Sequence, residues 1–288
     1  MESRLAAMTL NFSRMGREDY DHLLSAYIDI NDLVENFFRP DLFRKELGLL
    51  AQELALMANG LNELDRFTLL GQYFFHQMGF QKILPKDRAF TESDLFICSV
   101  ISCRQGHPLL LSSLYSFLAL QIQLPIHPVG MTYPTLLKWV RNGHNAYIDI
   151  TNQGNVLNDQ DFAHILSQRY HHWTDNKIKS IDSLSAPQLL MNYLDLLVKF
   201  FEDKDDSRIL VVLFSLLLKL DPNNIIILAR RSLLLMKIGR LQEAFADLKH
   251  YFSFVESQQV SSELRFAFLE LKQITQKDMP QPYISSWH

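Results

Sequence analysis

Cysteine occurs only twice among the 288 residues, at Cys98 and Cys103, which is too few for a disulfide framework. Glycine and proline number ten each, so most turns must be made by other residues and long helices are favoured. No region carries an excess of positive charge. The formal net charge is −4, and the stretch from Ser185 onward holds 12 basic and 12 acidic residues against 16 and 20 before it. A nucleic-acid surface needs a positive stripe that displaces phosphate counterions, so no nucleic-acid partner is expected. Long hydrophobic runs are also missing. The longest, "ILVVLFSLLLKL" from Ile209, is about 12 residues where a membrane-spanning helix needs about 20. The opening "MESRLAAMTLNFSRMG" lacks the positive start and apolar stretch of a signal peptide. These absences predict a cytoplasmic chain with no membrane partner.

Hydrophobic residues at 48% and charged residues at 21% are a globular composition, and the length suits about two domains. Helical spacing places Leu23, Leu24, Tyr27, Ile28 and Ile30 on one face. Leu47, Leu50, Leu54 and Met57 form another in a helix that Pro40 can start. A third helix is expected over Leu61–Gln77, stopping at Gly79. "TESDLFICSVISCRQG" predicts a helix capped by Thr91 or Ser93 and ended by Gly106. "HPLLLSSLYSFLALQI" follows with Pro108 at the first helical position, and it is apolar nearly all round. A helix of that kind belongs at the buried centre of its domain.

Next come three strand-like pieces, "IHPVGMTY", "TLLKWV" and "NAYIDI". Asn142-Gly143 between the last two is a hairpin signal, because both residues tolerate positive φ. "TNQGNVLNDQDF" leaves the sheet through a turn into another helix. The expected organisation is therefore an α+β domain over residues 1–180, a linker at Lys177–Ala186, and an all-α region over 187–288. In that region "LDPNNIIILARRSLLLMKIGRLQEAFADLKHYFSFVE" resembles a tetratricopeptide repeat. Ser232 is its small contact residue, Gly239 its turn and Ala244 its crossing residue. Pro187 stands 35 residues before Pro222, which suggests an earlier, degenerate unit with Val198 and Asp205 at the corresponding places.

"CRQGHPLLLSSLY", "LPIHPVGMTYPTLL" and "YIDITNQGNVLNDQDF", followed by helical repeats, resemble the bacterial SirB-type proteins, a transglutaminase-like family with a tetratricopeptide-like tail. The resemblance implies a degenerate transglutaminase-like (cysteine-protease-like) fold: a central helix on a small antiparallel sheet, then all-α hairpins. Active members of the superfamily put a cysteine at the start of the central helix, a histidine on the adjoining strand, and an Asp or Asn behind it. Carried over, the nucleophile position falls at about Pro108 and the histidine position at Thr135 or Leu136. Only the third keeps suitable chemistry, as Asp149.

Cys103, expected as a small packed residue at the end of a helix, joins His107 and Asp149 as the weak catalytic candidates. An atypical cysteine hydrolase or acyl-transferase using those three is the alternative reading. Ser112 and Ser113 lie inside the helix rather than on a strained turn. His144 and Asp149 are five apart on a strand and so face opposite ways. His127 is expected to cap a strand, and His171-His172-Trp173 to form a surface cluster. A zinc site from Cys98, Cys103 and His107 lacks a paired-cysteine hook, so no metal and no cofactor are expected. The leading expectation is a non-enzymatic interaction or regulatory protein with a protein or peptide partner. Arg104, Gln105 and His107 at the rim of the cleft, with Arg230, Arg231 and Lys237 on the repeat, are the candidate contacts.

Overall fold

The computed structural model describes residues 12, 14–34, 39–83, 88–130, 136–141, 143–169, 182–255 and 261–277. The chain forms two compact units, Leu10–Tyr193 and a helical one containing Leu194–His288. Residues 177–181, the first half of the expected linker at 177–186, lie outside the described residues. Among those residues no helix is long and apolar enough to cross a membrane.

The first unit opens with α1 (Tyr20–Val34) and α2 (Pro40–Met57). α1 buries the five apolar residues its spacing singled out, together with Asn31. α2 begins on Pro40, whose missing amide hydrogen costs nothing in the first turn. It buries Leu47, Leu50 and Leu54 but leaves Met57 exposed at its end, contrary to expectation. α3 (Glu63–Gly71) is capped by the Asn62 side chain, which accepts from Leu64 and Asp65. The continuous helix expected to Gln77 instead widens into one π-helical turn, Gln72–Gln77. It stops at Gly79, which takes φ 70°.

Thr91 opens α4 (Glu92–Leu95) through a capping box with Asp94. The expected single helix is broken at Phe96, which is extended, and α5 (Ile97–Cys103) resumes after it. α5 ends on Arg104 in the left-handed region at φ 59°, not on Gly106. Gly106 has a different task. A Cβ there would lie 2.3 Å from Val100 Cγ2, so glycine lets β2 (Gln105–Gly106) close against α5 and pair in parallel with β1 (Gln81–Lys82).

α6 (Pro108–Gln121) buries twelve of its 14 residues, the outcome expected of a helix without a polar face. β3 (Ile126–Pro128), β4 (Leu136–Arg141), β5 (His144–Asp149) and β6 (Asn155–Leu157) follow as one antiparallel sheet in chain order. β6 was not among the three expected strands. Cross-strand partners share a face, so Tyr147 and Leu157 lie together. Phe162 of α7 (Asp159–Arg169) stacks on Tyr147 there, centroids 3.8 Å apart. Trp139 points to the other face and stacks on Phe67 of α3 at 4.7 Å.

α8 (Ala186–Asp203) crosses from the first unit into the second. α9 (Ser207–Leu220), α10 (Ile225–Lys237), α11 (Leu241–Tyr251) and α12 (Ser262–Lys277) complete the helical unit. Its positions recur 34 residues apart. Buried Val198, Leu210 and Phe214 are matched by buried Ser232, Ala244 and Leu248. The left-handed turn residue Asp205 at φ 54° is matched by Gly239 at φ 80°.

Candidate functional site

The start of α6 is where a transglutaminase-like scaffold places its nucleophile. Backbone N–H groups at a helix start carry partial positive charge and stabilise an anion when they are free. Here Pro108 occupies the first helical position and His107 the cap. The Leu109 N–H donates to His107 Nδ1 at 3.1 Å, so the imidazole takes the place of an anion and its own proton resides on Nε2. Phe90 covers the ring at 4.9 Å, and the His107 N–H donates to the Asp94 carbonyl at 2.8 Å. The residue is only 8% exposed, which corrects its expected place at the rim of the cleft. Burial pushes its pKa down to about 4, with the Asp94 charge opposing the shift. At neutral pH it is an uncharged cap.

Asp94 is itself fully engaged. Arg88 Nη2 donates to Oδ1 at 2.7 Å, and the Thr91 N–H and Oγ1 both donate to Oδ2 at 2.8 Å. Burial raises the Asp94 pKa, but the Arg88 and Thr91 bonds outweigh it and hold the carboxyl below its usual range.

The third superfamily position is equally committed. Asp149 ends β5, and its Oδ1 accepts from the Thr151 N–H at 2.8 Å and from Thr151 Oγ1 at 2.6 Å. It thereby caps the short 3₁₀ turn Ile150–Asn152. The Lys82 ammonium donates to the Thr151 carbonyl, fixing the same turn from β1. Of the two histidine-position candidates, Thr135 lies outside the described residues. Leu136 is fully buried and pairs with Asp149 across the sheet.

Cys103 closes α5 and is exposed rather than packed, because the left-handed Arg104 turns the chain away directly after it. Its thiol makes no hydrogen bond among the described residues, whereas the alternative catalytic set needs contact with an imidazole within about 3–4 Å. Arg104 donates from Nη2 to Glu46 at 3.2 Å and lies over the Phe80 ring at 5.0 Å. Gln105 is exposed on β2. Ser112 and Ser113 are fully buried, and both donate to the Leu109 carbonyl, at 2.9 and 3.0 Å. Cys98 is buried. Among the described residues no group of three His, Cys, Asp or Glu side chains could hold a metal ion.

One polar cluster escaped sequence reasoning. His127, in the middle of β3 rather than capping it, is hydrogen-bonded through Nδ1 to Tyr20 Oη at 3.2 Å. Its Nε2 stands 3.5 Å from Glu18. Burial lowers its pKa while Glu18 opposes the shift. No local signal could have revealed a pairing across 107 positions. His144 is exposed opposite Arg141, and His171-His172-Trp173 lies outside the described residues.

In the helical unit each expected contact residue already has an intramolecular partner. Arg230 is ion-paired with Glu202 and lies over Phe214 at 4.8 Å. Arg231 grips Asp247 through Nε at 2.7 Å and Nη2 at 2.6 Å, and reaches Ser215 at 3.0 Å. Lys237 bonds Asp205 at 2.7 Å.

A UPF0162 protein of Pasteurella multocida (strain Pm70) is 24% identical over 220 residues, 73% of this chain and 78% of that protein. A UPF0162 protein of Haemophilus influenzae (strain ATCC 51907 / DSM 11121 / KW20 / Rd) is 22% identical over 259 residues, 90% and 95% of the respective chains. No solved structure matches. The sequence pattern of the transglutaminase-like superfamily matches residues 41–195, a stretch that contains α6, the whole sheet and Asp149, and the chain belongs to that superfamily.

Proposed function

We propose that this chain is a non-enzymatic interaction or regulatory protein of the SirB type, in which a degenerate transglutaminase-like domain carries a tetratricopeptide-like tail. One observation carries the reading: the groups that would serve a nucleophile are consumed by the fold. The helix start that would stabilise a thiolate is capped by His107. The remaining carboxylate, Asp149, holds its own backbone turn. The 34-residue recurrence of Val198/Ser232, Leu210/Ala244, Phe214/Leu248 and Asp205/Gly239 supports the tetratricopeptide-like assignment. Stacked hairpins of that family offer a concave surface to a peptide or partner helix. Arg104 and Gln105 on the first unit, and Arg230 and Lys237 on the second, are the proposed contacts. His107 leaves that set because it is buried. Arg231 leaves it because Asp247 occupies its fork.

Two assays on the full chain test the reading. Incubation with small ester, thioester and amide substrates is expected to give no turnover above background. Turnover that disappears in Cys103→Ser would overturn the proposal and favour the Cys103–His107–Asp149 hydrolase or acyl-transferase. Affinity capture is expected to retain a defined protein that is lost with Arg104→Glu or with Arg230→Glu combined with Lys237→Glu. Capture unaffected by all of them would remove the proposed contacts.

A further inference from the structure

Three segments far apart in sequence meet around His127: the turn before α1, the strand β3, and residues 182–186, which lead into α8. The last of these runs along the outer edge of β3. The Leu184 N–H donates to the Pro128 carbonyl at 2.7 Å and the Gly130 N–H to the Asp182 carbonyl at 3.3 Å, and Val129 bridges Ser183 antiparallel. Arg17 clasps the same segment. Its carbonyl accepts from the Ala186 N–H at 2.8 Å, and its Nη2 donates to the Ser183 carbonyl at 3.4 Å.

We propose that His127 is a proton-operated switch for the Arg17–Ser183 clasp. In the neutral ring Nε2 carries the proton toward Glu18 Oε1 at 3.5 Å, and Nδ1 accepts from the Tyr20 hydroxyl at 3.2 Å. The partners dictate that tautomer, since an ionised carboxylate only accepts. A second proton, on Nδ1, needs an acceptor in front of it. The Tyr20 hydroxyl becomes one by turning its own proton elsewhere. Ser116 Oγ of α6 stands near enough to favour the ionised form of Tyr20, and it is fully buried with no hydrogen bond of its own among the described residues. The string Glu18–His127–Tyr20–Ser116 therefore accommodates either charge state of the ring by reversing the bond through Tyr20. His107 has no such outlet, because its Nδ1 faces a backbone N–H that cannot turn.

Proton uptake acts in opposite senses on two adjacent side chains. Glu18 favours the charged ring and Arg17 disfavours it, so by linkage the charged ring draws Glu18 in and pushes Arg17 away. Both are exposed, and the long bond from Arg17 to Ser183 is the contact that yields. The other charges on the adjoining elements are few. Lys138 pairs with His127 across β4 and is a further cation. Asp19 is bonded to His22, Asp21 to Gln121, and Asp182 is exposed on the clasped segment.

Nitrogen-15 histidine spectra of the full chain, taken from pH 8 downward while the fold persists, read the ring directly. His127 is expected as the Nε2–H tautomer at pH 8 and as the doubly protonated ring at the acid end. Glu18→Gln and Ser116→Ala are each expected to lower its midpoint by about 0.5–1 pH unit, and Arg17→Gln to raise it. Amide exchange at Leu184, corrected for its intrinsic pH dependence, should rise about threefold across the same midpoint. That rise should vanish in Arg17→Gln and in His127→Gln. A ring that stays neutral until the chain unfolds overturns the proposal. So does a midpoint that Glu18→Gln and Arg17→Gln leave in place, or exchange at Leu184 that takes no notice of the midpoint.

Discussion

In the unit spanning Leu10–Tyr193, the Tyr27 hydroxyl reaches the Leu189 carbonyl 162 positions away, and Asn31 reaches Tyr193 across the same separation. In the helical unit, Arg231 finds Asp247 only 16 positions on, and Lys237 finds Asp205 at 32. The first kind of bond forms only when α1 and the start of α8 are both in place. The second needs one hairpin and its neighbour. The first unit is therefore expected to unfold as a block, and the helical unit to open hairpin by hairpin. Its polar groups differ in the same way. In the first unit the groups that bond over the longest separations, Tyr27, Asn31 and Tyr193, are fully buried. In the second, Lys237 and Asp205 pair at the surface, where solvent screens them, while the pair of Arg231 and Asp247 is largely buried.

The largest test of this contrast is Leu114→Ala at a fully buried position of α6. Loss of a core leucine there is expected to cost about 3 kcal/mol and to raise amide exchange across α1, α6 and the sheet together. Leu248→Ala, equally buried in the helical unit, is expected to raise exchange only in α10–α12. Exchange confined to α6 in the first variant would break the comparison.

Next in size is a pH effect centred on His107. Its folded pKa of about 4 lies below the usual 6.5, so below pH 6.5 the unfolded chain binds a proton that the folded chain refuses. Stability contributed by the neutral ring is whole above pH 6.5 and is lost as pH falls toward 4, by about 3 kcal/mol in total. Denaturant melts at pH 7 and pH 5 should show the loss. His107→Asn, which keeps a cap and does not titrate, should flatten it. An unchanged slope would place the titration elsewhere.

Much of this frame was legible in sequence. α6 is apolar on every side and opens on Pro108, and Asn142-Gly143 announced the β4–β5 hairpin. The spacing of the helical hairpins was suggested by Pro187 standing 35 residues before Pro222, with Val198 and Asp205 at the places of Ser232 and Gly239. What escaped was set by partners distant in sequence. Phe96 breaks a helix with no Gly or Pro to mark it, and β6 is a three-residue edge strand with polar neighbours. The left-handed position falls on Arg104, while Gly106 is the glycine that packing against Val100 requires. The candidate site was half legible. That a proline opens α6 was plain from Pro108. That His107 is buried depends on Phe90 and Asp94 folding over it, which composition around His107 does not report.

Tyr193 gives a smaller test of long-range satisfaction in the first unit. Its hydroxyl donates to the Leu95 carbonyl at 3.0 Å and accepts from Asn31 at 2.6 Å. Tyr193→Phe leaves both buried groups unpaired and is expected to cost about 2 kcal/mol. Asn31→Leu combined with Tyr193→Phe should cost less than the two single losses added, because the bond between the two side chains can be lost only once. Asn31→Leu also frees the Cys98 N–H that donates to Asn31 Oδ1 at 3.4 Å. A double mutant that is fully additive would mean that the two side chains act separately.

The smallest effect separates the two turns of the helical unit. Asp205 and Gly239 both adopt positive φ, at 54° and 80°, but only glycine does so without crowding its Cβ. Asp205→Gly is expected to stabilise the unit by about 0.5–1 kcal/mol. Loss of the Lys237 pair should subtract little, because both partners are largely exposed. Gly239→Asp should destabilise by a similar amount, and thermal melts of the two variants should move in opposite directions. If Asp205→Gly is destabilising instead, the Asp205–Lys237 bond contributes more than its exposure implies, and the helical unit shares the dependence on specific polar contacts that sets the first unit apart.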